Sequence, residues 1–172
     1  LNYDNITKIS NPRSFFGIST NDIRIKDNKI NDDYIKCFVS KHKGFEKWID
    51  INQIKNKNQL NYYRVATPRA ATKGGEGFGN LFIMNKNECF SDSYMAFFVN
   101  SQVEAKSLLS YLKTNFCNYL LSLRKISQTV KIDTCKWIPT VPFDREWTDE
   151  QLYQYFNLTQ NEIDLIEKTI KK

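Results

Sequence analysis

The rhythm of hydrophobic and polar positions changes about halfway along the chain. Over the first hundred residues, short apolar runs rich in β-branched and aromatic side chains alternate with Asn, Asp, Gly and Lys. The runs are FFGIST (15–20), DYIKCFV (33–39), KWIDI (47–51), YYRVATP (62–68), NLFIMN (80–85) and YMAFFV (94–99). Such side chains suit the half-buried, pleated surface of a sheet, so each run predicts a strand.

Beyond residue 100 the spacing becomes helical. Ser101 and Glu104 form a capping-box pattern, in which each side chain satisfies the other residue's backbone N–H. Ala105, Leu108, Leu109, Leu112, Phe116, Leu120 and Leu123 then recur at intervals of three and four. This stripe predicts one long helix running to about Lys125, with Arg124 and Lys125 placed where the helix dipole favours cations. Two further boxes, Thr148…Gln151 and Thr159…Glu162, predict a short helix near 151–155 and a last one over 160–170. Pro139 and Pro142 mark an extended passage between them. Strands first and helices afterwards predict an α+β fold: a strand-rich mixed sheet in the N-terminal part, then a long helix and a short helical tail.

Composition narrows the class. The chain has 172 residues, of which 41% are hydrophobic and 14% aromatic, so it can bury a real core as one domain and does not read as disordered. No apolar run approaches the roughly 18 residues a membrane-spanning helix needs. The opening LNYDNITKISNPR lacks the apolar run and cleavage site of a secretory signal. The four cysteines are widely spaced without a C-x-x-C pair, and His42 is the single histidine. They read as reduced, mostly buried thiols of a cytoplasmic protein, with no metal site. The net charge of +6 suggests an anionic partner. A first residue Leu1 in place of Met reads as a fragment of a longer enzyme.

Three stretches invite chemical readings. Asn11-Pro12-Arg13-Ser14-Phe15 invites comparison with the Asn-Pro-Pro-aromatic loop of amino-methylating DNA methyltransferases, but it lacks the second proline and its aromatic comes one residue late. The glycine-rich Lys73–Gly79 run lacks the Gly-Lys-Ser/Thr ending of a P-loop and is followed by a predicted strand, not a helix. It reads either as a flexible hairpin loop or, with Thr67–Thr72, as a phosphate or groove contact through Arg69 and Lys73. Ser122–Gln128 reads either as a solvated helix end or as a nucleic-acid contact through Arg124, Lys125 and Gln128. Asp144, Glu146, Asp149 and Glu150 cluster around a helix start, where negative charge is favoured in any case. His42, between Lys41 and Lys43, reads as an exposed loop residue.

The stretches EAKSLLSYLKTNFCNYLLSLRKISQ and WIPTVPFDREWTDEQLYQYFNLTQNEIDLIE resemble the C-terminal region of bacterial type II restriction–modification adenine-specific DNA methyltransferases. NPRSFFGIST, YRVATPRAATKGGEGFGN and SDSYMAFFV resemble the same region in the same order, and EWTDEQLYQYFNLTQNEID is the most specific part. The resemblance implies a target-recognition domain that reads duplex DNA and is not catalytic by itself. Its partner would be an N-terminal methyltransferase domain holding S-adenosylmethionine, with or without a fused endonuclease, and the fragment itself would need no cofactor. Arg13, Arg69, Lys73, Arg124 and Lys125 are the candidate backbone or base contacts, with Asn11, Thr72 and Gln128 as neutral partners. Trp147, Leu152 and Tyr153 would anchor the catalytic half. The alternatives are the specificity subunit of a multi-subunit restriction system, a stand-alone nuclease or methyltransferase, and a protein-interaction module.

Overall fold

The computed structural model describes residues 4–70 and 77–170. Among these residues seven strands form two sheets: β1 (Ser10–Asn11), β2 (Tyr34–Phe38), β3 (Glu46–Asp50), β4 (Tyr63–Pro68), β5 (Phe82–Met84), β6 (Glu88–Phe90) and β7 (Tyr94–Val99). The larger sheet is antiparallel with the order β1-β7-β4-β5. The smaller, ordered β3-β2-β6, is mixed, because β2 runs antiparallel to β3 and parallel to β6. Four helices follow: α1 (Gln102–Lys113), α2 (Asn115–Ser122), α3 (Asp149–Tyr155) and α4 (Gln160–Thr169). The fold is mixed α+β, and among the described residues no helix is long and apolar enough to cross a membrane.

Alternation along β4 and β7 divides the interior into two cores. Val65, Met95, Phe97 and Val99 face the helices and pack with Ala105, Leu108, Tyr111 and Leu112. Ala66, Tyr94 and Ala96 face the small sheet and pack with Phe16, Phe38, Cys89 and Phe90. Successive side chains of a strand point to opposite faces, so the central strands are buried on both and read as nearly continuous apolar runs. Ala66 and Ala96 stand directly opposite each other in register. Their small side chains leave room for edge-to-face ring contacts such as Phe16–Phe90 (5.2 Å) and Phe82–Tyr94 (5.5 Å). All four cysteines are free and buried in these cores.

Arg64 occupies this second interior face with no accessible surface. Among the described residues it has no carboxylate partner. Its Nε donates to Asn11 Oδ1 (3.0 Å), Nη1 to the Tyr62 carbonyl (3.1 Å) and Nη2 to the Gln59 carbonyl. The guanidinium also lies 5.2 Å from the Phe16 ring centre, within cation–π range. Burial pulls its pKa down from 12.5 to about 10, which leaves it charged at neutral pH.

The structure corrects three sequence expectations. The single long helix is two helices, broken at Thr114, whose backbone is extended (φ −67°, ψ 153°). The Thr114 hydroxyl accepts from Cys117 N (3.2 Å), and the Asp149 carboxylate accepts from Asn115 N (3.0 Å) and Phe116 N (2.8 Å). Asp149 therefore serves the start of α2 from across the fold as well as beginning α3. FFGIST forms no strand: Ser14 and Gly17 take positive φ (56° and 68°), and Gly17 N donates to Ser14 O (2.8 Å), making a tight turn. Trp147, Leu152 and Tyr153 are not a surface awaiting another half. They are buried in the helical core of this chain, with Trp147 Nε1 donating to the Pro142 carbonyl (2.9 Å) and Tyr153 to Glu167 (2.5 Å). The three predicted capping boxes all form.

Two outcomes follow. Arg64→Met strands one buried and two partly buried acceptors and should destabilise the protein by about 3 kcal/mol, measured by urea denaturation. Arg64→Lys should restore little, because one ammonium cannot span three separated acceptors. Separately, Asp22 accepts from Arg24 through both side-chain oxygens, and this partner holds its carboxyl at about 2 instead of 3.8. A depressed folded-state pKa stabilises fully above about 3.8 and is lost as pH falls towards 2. The stability difference between the parent and Asp22→Asn should thus be constant near neutrality and shrink between about pH 4 and 2. A difference independent of pH there would contradict the assignment.

Candidate anion-binding cleft

The end of β4 delivers Arg69 to the surface. Arg69 N donates to the Ser93 carbonyl (2.9 Å), while its own carbonyl accepts from Val130 N (2.7 Å). Ala70 then bridges Thr129. The main chain is therefore pinned on both sides, at the entry to β7 and at the segment after α2. Arg13 approaches from the tight turn 13–17, where its Nη2 lies 3.6 Å from Asp92 Oδ2. Asp92 is itself held, since its N donates to the Ile18 carbonyl (2.9 Å) and its Oδ1 accepts from Thr20 (2.6 Å).

These residues enclose a cleft of about 500 Å³, lined by Arg13, Arg69, Ala70, Asp92, Thr129, Lys131, Ile132 and Asp133. Its charge is unbalanced in a particular way. Asp92 is engaged by Arg13, and Asp133 by Lys136 (2.5 Å) and Arg124 (3.4 Å). Arg69 and Lys131 make no ion pair among the described residues. The Arg69 Nε is buried with no hydrogen-bond partner among them. Burial, and then the positive charge of Arg13, push the Arg69 pKa below its ordinary value, with Asp92 opposing. An unmet buried donor beside a like charge is costly, and an anion in the cleft offsets the like-charge part of that cost.

The candidates read from sequence separate in the structure. Arg13 and Arg69 share the cleft. Gln128 is exposed next to Thr129 on its wall. Arg124 lies behind the wall: its Nε donates to the Asp133 carbonyl (3.2 Å) and its guanidinium stacks 5.0 Å from the Trp137 ring centre. Lys125 turns elsewhere and donates to the Gly77 carbonyl (2.8 Å), fastening the end of the glycine-rich segment to the chain just after α2. Asn11, expected at the surface, is 2% exposed and accepts from Arg64 in the interior. Thr72 and Lys73 lie outside the described residues. Sequence reading passed over Asp92, Thr129, Lys131 and Asp133. Only the charges near Arg124 hinted at the last two, and nothing local marked the others.

The chain matches no protein-family model and no curated protein.

The unmet Arg69 predicts an unusual mutational response. Arg69→Met removes a buried unpaired donor and a like-charge repulsion, so thermal unfolding without ligand should show stability within about 1 kcal/mol of the parent, or higher. A loss of several kcal/mol would mean that Arg69 is a structural residue like Arg64.

Proposed function

We propose that this chain binds duplex DNA, as the sequence-reading domain of a restriction–modification adenine-specific DNA methyltransferase. The observation that carries the reading is the convergence of Arg13 and Arg69 on one open cleft, with the Arg69 Nε buried and unmet among the described residues. A phosphodiester in the cleft offsets the Arg13–Arg69 repulsion and can accept from the guanidinium groups that line it. Lys131 on the same cleft is exposed, as is Gln128 beside it. Lys131 extends the attraction to a neighbouring phosphate, and the amide of Gln128 can pair with an adenine edge.

On this reading the chain contributes recognition. Methyl transfer belongs to a separate half that holds S-adenosylmethionine, and the Asn-Pro-Arg-Ser-Phe segment has no catalytic part. That segment agrees with this division. Asn11, the amide that would hold a base in such a loop, is buried and occupied by Arg64.

Fluorescence anisotropy with duplex DNA over a series of salt concentrations tests the reading. Binding should weaken steeply with salt, each neutralised phosphate adding about 0.9 to the logarithmic slope. The double variant Arg13→Ala/Arg69→Ala should lower that slope by about 1–2 and weaken all sequences alike. An unchanged slope would place the DNA elsewhere, and no binding at low salt would remove the reading.

A further inference from the structure

A second cleft, of about 390 Å³, is also lined in part by Arg69. It shares Arg69 and Ala70 with the cationic cleft but differs in character. Pro68 and Tyr94, directly paired across β4 and β7, form part of its wall. The Tyr94 hydroxyl donates to the Val39 carbonyl (3.1 Å), so this wall is fixed. Gly79 leaves the space open: a Cβ there would come within 3.3 Å of Pro68 Cδ. Exposed His42 and Asn80, with Ser93, supply polar groups at the rim.

An apolar slot with a few polar groups, sharing Arg69 and Ala70 with an anion site, has the shape of a particular ligand class. A nucleotide joins a flat heteroaromatic ring, polar only at its edge, to a phosphate through one sugar. The slot falls within the size range of small-ligand pockets. Flat bases bind between apolar or aromatic walls while polar groups read their edges. A base stacked inside a duplex cannot enter such a slot.

We propose that the two clefts form one composite site for a single unstacked nucleotide, with its phosphate on Arg13 and Arg69 and its base against Pro68 and Tyr94. As regards the source of that nucleotide in DNA, the inference rests on the function proposed above. Arg69 is then the residue common to both compartments, with its main chain pinned by Ser93 and Val130. The rim residues His42, Asn80 and Ser93 select among bases.

The test is an NMR titration of the labelled chain with inorganic phosphate, with deoxyadenosine and with each deoxynucleoside monophosphate. The monophosphates should shift the amides of Arg69 and Ala70 together with those of Gly79, Ser93 and Tyr94, and bind about tenfold more tightly than phosphate. Gly79→Leu should abolish that gain and retain phosphate binding. His42→Ala/Asn80→Ala, at exposed positions, should weaken the monophosphates a few-fold without changing the melting temperature. Monophosphates that disturb only the cationic cleft, as phosphate does, would overturn the composite site, and so would no binding at all.

A second arm separates the sources by comparing a perfect duplex with one carrying a single bulged nucleotide. A bulge spares the cost of unpairing and should bind about tenfold more tightly, a difference that Gly79→Leu erases. Equal binding of the two duplexes, with monophosphates still seated in both clefts, supports the site with free nucleotides as its ligand and overturns the DNA source. Monophosphates seated while neither duplex binds would support the composite site and remove the DNA reading itself.

Discussion

A cation in the interior, held without a carboxylate, organises this fold. Arg64 reaches Asn11 in β1, the Gln59 and Tyr62 carbonyls before β4, and the Phe16 ring in the tight turn. Asn11 and Phe16 flank Arg13 in sequence. Removing a guanidinium from water is expensive, so every donor it directs inward needs an acceptor in a set position. The requirement acts in both directions: the acceptors keep the charge tolerable, and the charge dictates where the acceptors stand. The turn that presents Arg13 to the cleft inherits its position from that arrangement.

Arg64 and Arg69 lie close together in sequence and are treated in opposite ways. The first is surrounded by carbonyls and an amide; the second keeps a buried Nε without a partner among the described residues and faces another arginine. The difference comes from where β4 ends. Arg64 points into the space between the two sheets, whereas Pro68 closes the strand and lets Arg69 emerge between the 13–17 turn and the segment after α2. A satisfied buried cation supports structure, and an unsatisfied one at a cleft is prepared for a ligand.

The helical half shows the same dependence on distant partners. The apolar stripe from Ala105 to Leu123 continues through Thr114, because α1 and α2 press against one core, and neither Pro nor Gly announces the break. What ends α1 is a threonine cap together with the carboxylate of Asp149, a residue far along the chain. Burial raises the pKa of that carboxyl, and the N–H groups it accepts from partly offset the effect. The acidic residues near α3 read locally as ordinary helix-start charges. Only Asp149 among them proves to clamp two helices.

Local pattern by itself determined the positions of most strands, the three capping boxes, the final helices and the α+β class, since alternation, helical spacing and caps act over a few residues. It also marked Arg13, Arg69 and Gln128 as polar groups worth attention. Tertiary structure decided which polar groups remain available. Asn11 was withdrawn by Arg64, Lys125 by Gly77 and Arg124 by Asp133 and Trp137, while Arg69 was left with a donor to offer. Hydrogen bonds and ion pairs form between residues that folding brings together from distant parts of the chain. A sequence read window by window therefore locates charges, and the folded molecule settles how each is used.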